Sequence, residues 1–306
     1  MGSLLKWSKT PFLYKVLFVL TLSLSIYIVY HPNSQEGFAN ADASKFVSIS
    51  GADVYDHSYV GMYDGLFVRQ PRLDFEYTKI FNHADIDSNT WVLDVGSGTG
   101  HLCGRLHKNG IRCVGMDRSK AMIQRSQETY PDARFVMADA TQTAHNYYNK
   151  FDIISCLYFT YYEMSNKEQF LQNCMQWLRP GGRLYLHLVD PEVIDPILPV
   201  GNVLININPQ DFSDRKITTT RAVFENKEYK SDFQRLGDER FSLVETVVDK
   251  RSGLVKRLQR DLTVPAIQKS VAKARALGFT SEGGQEMNEC GYEGQYIYVF
   301  RKAEGI

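Results

Sequence analysis

Between Val92 and Leu102 the chain reads VLDVGSGTGHL, an apolar run that ends in three glycines at alternate positions. Trp91–Val95 is short, apolar and partly β-branched, as expected of a central strand in a parallel sheet covered on both faces. Gly96, Gly98 and Gly100 remove side chains where the backbone must turn sharply and where a ligand can come close. His101–His107 can continue as a helix with Leu102 and Leu106 on one face. A strand, a glycine turn and a helix N-terminus together offer free backbone N–H groups and a positive dipole end to a bound molecule.

The residues that follow repeat the alternation. Ile111–Met116 reads as a second strand ending in Asp117, and Ser119 can cap the next helix. Ala133–Met137 reads as a third strand ending at Ala138-Asp139, and Phe151–Leu157 as a fourth. Ser165-Asn166-Lys167-Glu168 has the form of a capping box, and Arg179-Pro180-Gly181-Gly182 a stop before a fifth strand, Arg183–Val189. Tyr55, Tyr59, Tyr63 and Phe67 recur at helical spacing ahead of the first strand. Five strands alternating with helices predict an α/β, doubly wound, Rossmann-like sheet that binds its ligand at the C-terminal ends of the strands.

The ends of those strands restrict the ligand. A dinucleotide fingerprint is G-x-G-x-x-G, but here the glycines run G-x-G-x-G and His101 stands where the last one would be. Asp94, two residues before the first glycine, is poorly suited to a pyrophosphate and well suited to a ligand that carries a cation, such as an amino group. Asp117 is placed to accept from ribose hydroxyls, and Asp139 from an adenine amino group. Amino acid, ribose and adenine in that order describe S-adenosylmethionine.

VLDVGSGTG, the acid at Asp117, Met137-Ala138-Asp139, Phe151–Ser155 and Leu178–Leu184 (LRPGGRL) together resemble the successive motifs of class I S-adenosylmethionine-dependent methyltransferases, over roughly residues 88–190. The resemblance implies a seven-stranded sheet and S-adenosylmethionine as cofactor. It assigns the methionine moiety to Asp94, Gly96, Gly98 and Gly100, the ribose to Asp117, and the adenine to Ala138 and Asp139. Ser97 and Arg118 join the cofactor-contacting residues, and Cys156 opens the stretch that passes beside the methionine chain. No metal is implied.

The methyl acceptor is less constrained. Tyr158-Phe159-Thr160-Tyr161-Tyr162 follows the fourth strand, where amino-methyltransferases of nucleic acid carry a polar residue, Pro-Pro and an aromatic. The aromatic run could wall the methyl pocket, Tyr158 foremost, or simply pack the core. His187, near the end of the fifth strand, is a candidate general base or a buried structural histidine. Residues 191–265 interrupt the expected path. Lys216–Phe224, Phe241–Val248 and Leu254–Thr263 alternate at period two, with a turn at Asp249–Gly253, and read as a small antiparallel sheet inserted after the fifth strand. This insertion loosely resembles the lid of small-molecule methyltransferases and is expected to cover the ends of strands four and five. Gln295–Phe300 reads as a final strand, antiparallel beside the fifth in the family.

With 35 basic and 35 acidic residues and no basic block, the chain is ill suited to nucleic acid. Five cysteines without a C-x-x-C pair argue for buried free thiols. Phe12–Tyr30 is apolar except for Lys15 and a few hydroxyl residues, about the ~20 residues a membrane-spanning helix needs. A cleaved signal peptide fits less well, because small residues do not follow the apolar run, and a core helix fits least. The expected organisation is an anchor at 1–31, a tether at 32–45 and a methyltransferase domain at 46–306: a single-pass membrane protein. Lys6, Lys9 and Lys15 would put the N-terminus in the cytoplasm, while the absence of N-x-S/T leaves the side of the globular part open. Two function classes follow: a membrane-tethered methyltransferase acting on a small-molecule or lipid-like acceptor, or a non-catalytic anchored module that keeps the fold.

Overall fold

The computed structural model describes residues 45–304 apart from 84–85, 143–146, 195–209 and 211–212, together with Phe18 and Thr21. The chain divides into two compact units, Met1–Phe46 and Val47–Ile306. Phe12–Tyr30, the expected membrane segment, lies outside the described residues except for Phe18 and Thr21. Among the described residues no helix is long and apolar enough to cross a membrane.

From that boundary onward the chain forms β1 (Phe46–Ser50), α1 (His57–Phe67) and α2 (Gln70–His83). The alternating part follows as β2 (Trp91–Val95), α3 (His101–Lys108), β3 (Arg112–Asp117), α4 (Lys120–Thr129), β4 (Arg134–Met137), β5 (Phe151–Cys156), α5 (Thr160–Glu163), α6 (Lys167–Trp177) and β6 (Leu178–Val189). Four strands then run in succession: β7 (Thr219–Val223), β8 (Lys227–Arg235), β9 (Arg240–Asp249) and β10 (Val255–Thr263). The described chain closes with α7 (Ile267–Ala276), β11 (Phe279–Met287) and β12 (Tyr292–Lys302).

The main sheet has seven strands in the order β11-β12-β6-β5-β2-β3-β4. β6, β5, β2, β3 and β4 are mutually parallel, and β12 enters antiparallel beside β6, as expected. Val92, Leu93, Val114, Ile154, Leu184 and Leu186 are fully buried, because helices cover both faces of the sheet. Ser119 caps α4 as anticipated, its hydroxyl accepting from the Met122 N–H at 3.1 Å. The start of α6 differs by one position: Asn166, not Ser165, is the cap, accepting from Gln169 N–H at 3.0 Å.

The insertion forms a second sheet, ordered β1-β10-β9-β8-β7. The predicted pairing of the last two hairpin strands is present, and Asp249 Oδ1 accepts from Arg251 and Ser252 N–H in the turn between them. β8 and β1 add two strands that the alternation did not announce. The inner face of this sheet packs Tyr229, Val247 and Leu258 against Tyr59, Met62, Leu66 and Phe67 of α1, with Tyr158 at the margin. Phe233 and Phe241 share a hydrophobic cluster with Tyr161 and Tyr162 of α5. The insertion thus lies on the segment that leaves β5, on the side of the strands' C-terminal ends.

Candidate functional site

The glycine turn has the backbone that its sequence demands. Gly96, Gly98 and Gly100 all have positive φ, at 71°, 53° and 86°. A Cβ on Gly96 would stand 2.3 Å from both Cγ2 and Oγ1 of Thr160, so only glycine lets α5 sit against the turn. Gly100 serves a different contact: its Cβ would fall 2.7 Å from the Phe135 ring and 2.8 Å from Ser126. It lets α3 pack on β4 rather than opening space for a ligand.

A cleft opens at the C-terminal ends of β2, β3 and β4, bounded by Gly96, Gly98, Asp117, Arg118, Ala138 and Asp139. Tyr55, Tyr63, Thr160 and Glu163 close it from above. The space between them is about 710 Å³ with its open mouth included.

The acids in and below the cleft are held by main-chain and hydroxyl donors. Asp117 Oδ2 accepts from Gly98 N–H at 3.0 Å and Oδ1 from Ser119 N–H at 2.8 Å. These bonds tie the second strand's acid to the glycine turn. Burial nevertheless raises its pKa, with the two N–H groups opposing the shift. Asp139 Oδ1 accepts from the N–H and the hydroxyl of Thr141, at 2.8 and 2.7 Å. Asp94 is 5% exposed beneath Gly96, and its one described side-chain partner is the Ser155 hydroxyl, which donates at 2.8 Å. Burial pushes its carboxyl up to about 7, against the pull of Ser155 and with help from the charges of Glu76 and Asp117. The shift has the direction burial imposes on a carboxyl, whose charged form is disfavoured away from water.

The cover is an ion and tyrosine network. Arg260 of β10 donates from Nη1 to Glu163 Oε1 at 3.1 Å and from Nη2 to Glu245 Oε2 at 2.7 Å. Tyr59 and Tyr229 donate to Glu245 Oε1 at 2.7 and 2.6 Å, and Tyr55 donates to Glu163. Arg118 completes the chain, donating to Glu163 Oε2 at 3.1 Å. On the other flank, Asp64 of α1 accepts from Thr99 Oγ1 at 2.6 Å and pairs with His101 at 3.3 Å. One helix therefore touches both the glycine turn and the second sheet.

Residues 92–182 match a family described as a methyltransferase domain. A putative methyltransferase of Invertebrate iridescent virus 6 is 30% identical over 119 residues, covering 37% of this chain and 43% of that protein. The chain spans less than half the length of the first relatives it matches, between 36% and 43%. The CcbJ methyltransferase of Streptomyces caelestis superposes with a TM-score of 0.59 at 14% identity, over 81% of this chain and 100% of that one. The sugar N-methyltransferase KedS8 of Streptoalloteichus does so with a TM-score of 0.57 at 18% identity, over 80% and 93%. At these identities the likeness is one of fold.

The structure brings Gly96, Gly98, Asp117, Arg118, Ala138 and Asp139 together around the cleft. Asp94, Ser97, Gly100 and Cys156 stand behind them and do not bound it. Ser97 Oγ is buried without a hydrogen-bond partner among the described residues, and Cys156 is fully buried with its thiol pushed up by burial. Cys103, Cys113 and Cys174 are likewise buried free thiols, and Cys290 is a half-buried one.

Tyr158 and His187, the candidate catalytic pair, are adjacent but lie outside the cleft. Their rings are 6.3 Å apart and nearly parallel. His187 is 1% exposed; Nδ1 meets the Tyr158 carbonyl, and Nε2 meets the side-chain amide of Gln295 at 3.0 Å. Burial pushes its pKa down to about 4. Both ring nitrogens are engaged, so His187 is not placed as a general base. Tyr162 is also structural, its hydroxyl oxygen accepting from Val189 N–H at 2.6 Å. Sequence reasoning missed Thr160 and Glu163, and saw Tyr55 and Tyr63 only as a helical stripe. That four-residue spacing of tyrosines was the available signal.

Proposed function

We propose that the protein is an S-adenosylmethionine-dependent methyltransferase acting on a small-molecule or lipid-like acceptor, tethered to a membrane through Phe12–Tyr30. The observation that carries this reading is the cleft itself: a glycine turn, then Asp117, then Ala138-Asp139 on three successive strand ends. The donor set fits the cofactor. Gly96 and Gly98 leave main chain where a side chain would intrude, Asp117 and Asp139 present oxygens, and the buried Asp94 calls for a cation.

When bound, S-adenosylmethionine supplies an electrophilic methyl group on a positively charged sulfur. Asp117 would hold the ribose, Ala138 and Asp139 the adenine, and the Asp94 end the amino group. Tyr55 and Tyr63 limit access of water from above, and Glu163 is held in place by Arg118, Arg260 and Tyr55. With no base presented by the described residues, alignment of nucleophile and methyl is the expected source of rate, worth up to about 7–11 kcal/mol in favourable cases.

The covered rim and the neutral net charge support a compact acceptor over nucleic acid. Tethering rests on the apolar composition of Phe12–Tyr30. The test is to incubate the full-length protein with methyl-labelled S-adenosylmethionine and a cell extract, then separate small molecules, lipids, protein and nucleic acid. Label in the small-molecule or lipid fraction, absent with Asp117→Ala, is expected; label confined to nucleic acid or protein would overturn the acceptor class. Alkaline extraction of membranes tests the tether, which is wrong if the protein is released.

A further inference from the structure

We propose that His187 is a positioning residue of the cleft, acting through the main chain of Tyr158. The proposal rests on the reading of the cleft as a cofactor site. Tyr158 has a φ of 53°, in the left-handed region that an aromatic residue adopts at a cost and a glycine adopts freely. Its carbonyl is the partner of His187 Nδ1. A carbonyl can only accept, so the ring proton sits on Nδ1. Nε2 of the neutral ring must then accept; the structure sets Gln295 Oε1 opposite it, and the interchangeable amide turned over presents its N–H₂ to the ring. The imidazole is thereby fixed in one tautomer inside the sheet.

The tyrosine ring is held as well. The Arg72 guanidinium stands 4.3 Å from its centroid, and Phe67 of α1 packs at 6.3 Å. Two residues on, Thr160 opens α5 against Gly96, and Glu163 follows at the cleft wall. The hydrogen bond from His187 therefore determines where the chain leaves β5, and with it how closely Thr160 meets the glycine turn. A ring that never touches the ligand sets the shape of the site through one carbonyl.

Calorimetric titration of the full-length protein with S-adenosylmethionine tests this with four variants. His187→Leu removes the donor and is expected to weaken binding about ten-fold or more, whereas His187→Asn, whose amide N–H falls near the place of Nδ1, should stay within about three-fold of the parent. In a Tyr158→Gly background, where the left-handed backbone needs no restraint, adding His187→Leu should cost less than about three-fold. Equal losses for Leu and Asn, no loss for Leu, or the full loss persisting in the glycine background would each overturn the proposal. Should the parent protein not bind S-adenosylmethionine, the cofactor reading fails separately. The same cycle is then read from thermal unfolding, where the His187→Leu shift in Tm must shrink in the glycine background; additive shifts would sink the positioning role.

Discussion

The floor and the roof of the cleft are made of different materials. The floor is main chain: a glycine turn and strand ends, with Asp117 fixed by two backbone N–H groups from residues within 19 positions of it. The roof is side chains: a tyrosine stripe on and before α1, and a buried network centred on Arg260, which reaches Tyr55 across 205 residues of sequence. A backbone floor is specified locally and recognises a ligand. A side-chain roof is specified only by the assembled fold, and it carries charges that have no escape to water. Substitutions in the floor should therefore act on binding, and those in the roof on stability.

The largest effect should come from the roof. Arg260→Leu leaves Glu245, 0% exposed, and Glu163 without their common cation. Removing one partner of such a buried group costs about 3–5 kcal/mol, to be read as a lower denaturation midpoint. A loss below about 1 kcal/mol, the scale of an exposed pair, would show the network to be solvated and the contrast false.

In the floor, Gly96→Ala meets Thr160 and an unfavourable φ together. Affinity for S-adenosylmethionine should fall by about 1–3 kcal/mol, the scale of local backbone strain, with a smaller change in denaturation midpoint. A stability loss equal to that of Arg260→Leu would erase the distinction. Asp117→Ala should weaken binding by about 1.5–3 kcal/mol, the worth of hydrogen bonds to a charged group, and an unchanged dissociation constant would remove the ribose assignment.

The pH dependence sharpens the same contrast more gently. Asp94 has its carboxyl raised to about 7 in the folded chain. A raised acid holds its proton in the fold, so its unfavourable effect on stability grows as pH climbs from the ordinary carboxylate value towards 7. A cationic ligand binds the ionised form. Affinity for S-adenosylmethionine should therefore rise with pH up to about 7 and then level, by at most ~1.4 kcal/mol per unit. Asp94→Asn should flatten the slope. A slope of opposite sign would mean that Asp94 does not face a cation.

This division also governs how much the sequence reveals. The five parallel strands and β12 are legible because each is a short apolar run bounded by its own turn, and Asp117 and Asp139 are legible because they end such runs. β11 is not: Gly283-Gly284 and the surrounding polar residues erase its alternation, and it forms because Tyr298 of β12 packs over Gly284. β8 is obscured by Glu228, Lys230 and Gln234 on its outer positions, while Tyr229, Ser231 and Phe233 face inward. α2 begins with Gln-Pro-Arg and buries the charged Arg72 and Glu76 beside its apolar residues, which blurs its pattern. Gly100 and His187 were legible as unusual residues but not as to role. A glycine looks the same whether it makes room for a ligand or for Phe135, and a histidine the same whether it moves a proton or holds a carbonyl. Thr160 and Glu163 meet the cleft, and Arg260 meets Glu163, only after folding joins distant segments.

The floor is proposed to accept an adenosyl amino acid bearing positive charge, not a dinucleotide. Isothermal titration of the full-length protein with S-adenosylmethionine, repeated in the presence of excess NAD, tests it most directly. One-to-one binding that NAD leaves unchanged is expected. Absence of binding, or displacement by NAD at comparable concentration, would contradict it.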